Sequence, residues 1–353
     1  MKLTIRLLTI LLASTCQATF AENTLKLLNW EDYIADSVLA KWEAQSGYKV
    51  EQVYFDNDED RDAILLFSAN HNIDLAVVDE VIGERFGEQE LLVELDNNNL
   101  PGKANYHPFW SQRCGHYAVP YLWGTLGIAY RTDKVSQPPT SWLDILQPNT
   151  ALQGHVGMME DYTDLLAPAF FYLGKSINSE AQEDLVAAFE LLKAQAPSVL
   201  TYEYAITYVG SNEQADELYM ALVYGGDQFT LNEQAHADQH WRYVIPSEGT
   251  VLWVDCLAIP TTSQNQEIAL QFINFLSQPE IAAENAEALY YATPNRAAEP
   301  LLDPEFFHNQ EVFLPKAVQD RSQLYSPLSE ENIERRLRIT NAIMNIHETR
   351  NSR

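Results

Sequence analysis

Basic side chains are scarce in this sequence: 22 lysines and arginines stand against 50 aspartates and glutamates, a formal net charge of −28. That balance argues against a nucleic-acid partner, because phosphate binding needs a basic face. Anionic lipid is repelled for the same reason, whereas a cationic ligand is favoured. Long apolar runs are lacking too. Residues 7–13 (LLTILLA) are too few to span a bilayer, and no later stretch reaches the ~20 residues a membrane helix requires. The common catalytic signatures are also missing. There is no Gly-x-Ser-x-Gly elbow, no phosphate loop ending in Gly-Lys-Ser/Thr and no His-Glu-x-x-His. His236 and His240 share a helix spacing, but no ligating neighbour is evident, so a solvated helix face is expected and no metal or cofactor. Nothing here requires an enzyme.

Cysteine is rare, with three residues. Cys16 falls in a leader-like segment: Lys2 and Arg6 precede the apolar run, and Ala18 or Ala21 ends it. Cleavage after Ala21 is expected, making residues 1–21 a signal peptide and the destination the periplasm. Cys16 as a lipid-anchored residue is a rival, but Ser14-Thr15 before it fits a lipid-attachment site poorly. Loss of residues 1–21 removes two positive charges and no negative ones, taking −28 to −30. Cys114 and Cys256 would remain in an oxidising compartment, where a disulfide and two buried thiols are both open.

What is present is an alternation of strand-like and helix-like segments in 353 residues, of which 46% are hydrophobic and 20% charged. Residues 25–29, 49–55 and 74–78 read as strands. Ile34, Val38 and Trp42 recur at helical spacing up to Gly47, and helical stretches are expected at 63–68 and 82–86. Such alternation predicts an α/β fold with a mostly parallel sheet covered on both faces. Two apolar segments, 117–131 and 249–262, break the rhythm and hold strand-like residues around a turn or hinge. They suit a chain that leaves one lobe, builds a second and returns. The expected division is 22–126 plus 254–299 for lobe 1, and 127–253 plus 300–353 for lobe 2.

Aromatics beside carboxylates recur at the ends of these strands. Trp30, Asp32 and Tyr33 follow the first, and Asp79 ends the third. Asp161 and Asp164 follow 156–159, while Tyr224 and Asp227 follow 218–223. Trp253 and Asp255 lie on one face of an otherwise apolar strand. Ligands of open α/β sheets sit outside the carboxyl ends of strands, so these residues can converge on one cleft. An alkylammonium needs ring faces, worth about 0.5–2 kcal/mol each when desolvated, and carboxylates for charge-assisted hydrogen bonds. Taken singly, Trp30 and Tyr33 also read as core, and Asp32, Asp79, Asp161 and Asp164 as helix-start charges or caps.

At these residues the chain resembles the spermidine/putrescine-binding periplasmic proteins of extracellular solute-binding family 1. The resemblance is carried by Asn29-Trp30-x-x-Tyr33, Val119-Pro120-Tyr121-x-Trp123-Gly124, Ser141-Trp142-x-Asp144, Leu252-Trp253-x-Asp255-x-Leu257-Ala258-Ile259-Pro260 and Thr293-Pro294-Asn295. It covers nearly the whole chain after the leader, in order. It implies a two-lobed type II periplasmic-binding fold in which Trp30, Tyr33, Tyr224 and Trp253 box an aliphatic stem. Asp161, Asp164 and Asp255 match its amine-binding acids, Asp32 an acidic position, and Asp227 an acid of the putrescine-binding branch. Four departures stand out. Tyr224 replaces a usual tryptophan, Asp79 a small hydroxyl residue, Val81 a tyrosine of the spermidine branch, and a late glutamine is lost near Tyr325-Ser326. Within the family the chain looks most like norspermidine sensors that work with an inner-membrane GGDEF–EAL protein to set cyclic-di-GMP and biofilm formation. The alternative partner is the permease of an ABC transporter. A monomer is expected in either case.

Overall fold

Residues 23–55, 57–96, 98–236 and 239–351 are described by the computed structural model; the leader and both expected cleavage points lie outside them. Strands β1 (Thr24–Asn29), β2 (Lys49–Tyr54) and β3 (Leu75–Asp79) run parallel in the order β2-β1-β3. β3 is an apolar run buried on both faces, as inner strands are, and β1 is buried from Leu27 to Asn29 while Thr24 and Lys26 stay partly open. Helix Asp36–Ser46 buries Val38 and Trp42 and stops at Gly47, whose φ of 75° only glycine adopts at little cost.

The two interrupting segments are neighbours in space. β4 (Ala118–Arg131) is buried along its whole length and pairs antiparallel with β9 (Val251–Ala258) through its first half. Its second half pairs antiparallel with β7 (Met220–Tyr224) and β8 (Trp241–Val244). β4 therefore carries the chain between the two halves as one strand, without the expected turn. A register shift between Pro120 and Leu122 absorbs the proline, which has no N–H for the ladder. β5 (Val156–Gly157) and β6 (Val199–Thr201) continue parallel beyond β7, and β10 (Gln323–Leu324) lies parallel to β9. The resulting order is β2-β1-β3-β9-β4-β7-β5-β6.

The sheet is mixed, which corrects the expectation of a mostly parallel one. Parallel strands flank an antiparallel centre because β4 and β9 cross between the halves in opposite directions. Each half is covered on both faces. In the first, Trp42, Leu257 and Phe272 pack on one side, with Phe86, Trp110 and Cys256 on the other. In the second, Trp142 and Phe170 oppose Leu231 and Tyr243. This is the two-lobed α/β architecture. The chain after residue 299 serves both lobes: Leu302, Phe306 and Phe313 pack on the first core, and Ile339 and Ile343 on the second.

Cys114 and Cys256 are joined, with Cα atoms 5.9 Å apart. His236 and His240 do not share a helix. Helix Asp227–Gln234 ends where Ala235 turns extended, so both histidines precede β8 in irregular chain. Among the described residues no cluster of three metal-ligating groups occurs.

Candidate ligand-binding site

β9 supplies the centre of the site. Of its eight residues only Trp253 and Asp255 are not fully buried, because alternation turns both to one face. Asp255 stands directly across from Asp79 on β3, and the Tyr33 hydroxyl turns towards it without completing a hydrogen bond. Burial lifts the Asp255 pKa to about 7; Tyr33 and Arg61 oppose the rise and Asp79 adds to it.

From the second lobe, the turn after β5 presents Asp161 and Asp164. Asp161 Oδ1 accepts from the Thr163 amide and hydroxyl and from the Asp164 amide, at 2.7, 2.5 and 2.7 Å, which fixes the turn. Asp164 accepts from the hydroxyls of Tyr224 (2.5 Å) and Tyr325 (2.6 Å). Burial, then the Asp161 charge, raises its pKa to about 7 against those two donors. Asp227 is 1% exposed and accepts from the Tyr204 hydroxyl, the Tyr224 amide (2.8 Å) and the Tyr291 hydroxyl (3.2 Å). Burial pushes it up to about 6. Asp227 thus lies beneath the tyrosines and orients them.

The rings form a continuous edge-on series. Tyr33 meets Tyr291 at 5.4 Å between centroids, Tyr291 meets Trp253 at 5.6 Å, and Trp253 meets Tyr224 at 5.9 Å. Gly124 on β4 makes room for Trp253, since a Cβ there would come within 2.4 Å of the indole. Trp30 stands outside this series, packed on Phe55 at 4.3 Å.

Two expected carboxylates are placed differently. Asp79 Oδ1 caps helix Glu80–Glu88 at the amides of Val81 and Ile82, both at 2.8 Å, and its Oδ2 accepts from Arg61 at 2.7 Å. Asp32 is exposed in a turn, with φ of 53°, and is not joined to the buried acids.

Sequence reasoning missed Tyr204, Tyr291, Arg61, Asp58 and Glu80, and read Tyr325 only as a lost glutamine. Burial, reinforced by the nearby carboxylates, holds the Tyr204, Tyr291 and Tyr325 phenols well above their ordinary pKa, so they remain donors. Asp58 is crowded by protein yet 45% of its side chain stays open to water, as on the wall of a cleft. Its pKa rises first through that crowding and then, against Arg61, through Asp79, Asp161 and Asp255. Carboxylates of both lobes therefore act on one another. Glu80, 8% exposed, keeps an unpartnered Oε1, and burial raises its pKa well above the carboxylate range. Two surface hollows elsewhere, at Trp42 and Phe275 and at Asn232 and Trp241, gather no carboxylates.

Protonatable acids, phenol donors and ring faces from strand ends of two lobes thus lie together, a set of groups with the chemistry to bind an alkylammonium. The chain belongs to the bacterial extracellular solute-binding proteins, whose family model matches residues 37–313. It is similar to the norspermidine sensor of Vibrio cholerae, with 37% identity over 338 residues, 96% of this chain and 93% of that protein. It is similar also to the putrescine-binding periplasmic protein SpuD of Pseudomonas aeruginosa, at 31% identity over 84% of this chain and 86% of that one. Among solved structures, the spermidine/putrescine ABC transporter substrate-binding protein PotD of Streptococcus pneumoniae superposes with a TM-score of 0.78. Identity there is 25%, covering 92% of this chain and 99% of the other.

Proposed function

We propose that this protein is a periplasmic receptor for linear polyamines such as norspermidine and spermidine. Its site residues would be Trp30, Asp32, Tyr33, Asp79, Asp161, Asp164, Tyr224, Asp227, Trp253 and Asp255, in three roles. Asp255, Asp161 and Asp164 take the ammonium groups and the ring series takes the methylenes; the others shape the cleft. The observation that carries this reading is that one ring series runs between the lobes, with Tyr33 turned to Asp255 at one end and Tyr224 donating to Asp164 at the other. Such a site is strained when empty and charged, and relieved by a cation.

The output is a protein contact. A ligand touching both lobes favours the closed arrangement by its differential contacts, and an inner-membrane GGDEF–EAL protein reads that arrangement to set cyclic-di-GMP and biofilm formation. Support for signalling is the similarity to a norspermidine sensor. The second reading, the binding subunit of an ABC uptake system, is favoured by the similarity to a spermidine/putrescine ABC transporter substrate-binding protein. The lobes would move as 22–126 with 254–299 and 127–253 with 300–353, except that the stretch carrying Leu302, Phe306 and Phe313 follows the first core. Deleting the gene and measuring amine uptake and biofilm mass separates the readings. A lost biofilm response to norspermidine with intact uptake supports the sensor; lost uptake with an unaltered biofilm response supports the transporter.

A further inference from the structure

Arg61 is 1% exposed in helix Asp58–Leu66 and meets three carboxylates. Its Nη1 donates to Asp58 at 2.8 Å, its Nε and Nη2 to Asp62 at 3.0 and 2.9 Å, and its Nη2 to Asp79 at 2.7 Å. Its guanidinium lies 5.9 Å from the centre of the Phe55 ring, against which Trp30 packs. Carboxylates with an aromatic ring beside them are the surroundings an alkylammonium would seek. Here the chain fills them with its own cation.

Asp79 is the cross-strand partner of Asp255. The Arg61 charge therefore stands one strand away from the first ammonium station. We propose that Arg61 is a specificity-determining residue, a built-in cation that closes the Asp79 end of the cleft to any further ammonium of the ligand. This rests on the polyamine reading and deepens it. Ligand charges are confined to Asp255 on one lobe and Asp161 and Asp164 on the other. An amine with one more charged nitrogen would have to bring it beside the guanidinium, and that repulsion rejects longer chains.

The test is calorimetric titration with norspermidine and the longer spermine. Wild type is expected to bind spermine about tenfold more weakly than norspermidine, a difference of 1.4 kcal/mol. Arg61→Met should bring the two within about threefold, and Arg61→Lys should restore the gap. Asp255→Asn, by contrast, should weaken binding of both amines more than tenfold and leave the gap between them. A wild type that binds spermine as tightly as norspermidine, or a spermine gap unchanged in folded Arg61→Met, would overturn the inference. A wild type that binds neither amine would instead defeat the polyamine reading itself.

Discussion

On the proposed reading Asp255 carries the most weight of any side chain. Its place was legible because period-2 alternation on an apolar strand leaves a carboxylate and an indole on one face. Asp79 was not legible in the same way. Its partner Arg61 lies 18 positions earlier on another element, and nothing in local spacing reports such a contact. Asp227 looked equivalent to the other acids, yet its three donors, two of them phenols, assign it a supporting place. Those phenols left no pattern because each lies on a different segment. Asp255→Asn keeps shape and removes charge, so it should weaken norspermidine binding by about 2–4 kcal/mol at pH 8, as for one member of a buried charge pair. Calorimetry on the folded variant checks this, and an unchanged affinity would show Asp255 to be structural.

Elements were legible where periodicity is local. The first three strands, the helix closed by Gly47 and the two crossover segments are each visible in apolar spacing. What spacing does not report is which strands pair. β4 and β9 are more than 100 residues apart and meet antiparallel, so the centre of the sheet escaped a reading based on local alternation. The same limit left the cysteines undecided. The bond between Cys114 and Cys256 ties the end of helix Pro108–Arg113 to β9 beside Asp255, across 142 residues of chain. Closing so long a loop restricts the unfolded chain. Replacing both cysteines by alanine should cost about 2–4 kcal/mol of stability, read as a lower melting temperature. An unchanged melting point would mean the bond adds nothing to the folded state.

Charge acts on the whole molecule. With a net −28 the chain repels itself, and the cleft concentrates that stress. Asp164 and Asp255 titrate near 7 and Asp227 near 6 in the folded protein, all above their ordinary 3.8. Raised folded values mean the native state binds protons more readily than the unfolded one. Their stabilising contribution is present in acid and disappears as pH climbs through about 6 to 7. The ligand-free protein should therefore melt at a higher temperature at pH 5 than at pH 8. A saturating polyamine should narrow that gap, because it favours the ionised carboxylates. Melting curves at the two pH values, with and without norspermidine, check this; a free protein more stable at pH 8 would contradict it.

The most direct measurement of the central claim is titration of norspermidine into the leader-free protein at pH 7, in two buffers of different ionisation heat. A cation seated between Asp255 and the Asp161–Asp164 pair must drive half-protonated carboxyls into their charged form. The account predicts saturable one-to-one binding whose heat differs between buffers by the release of roughly one proton. No saturable heat with norspermidine, spermidine or putrescine, or binding with no proton released, would contradict it.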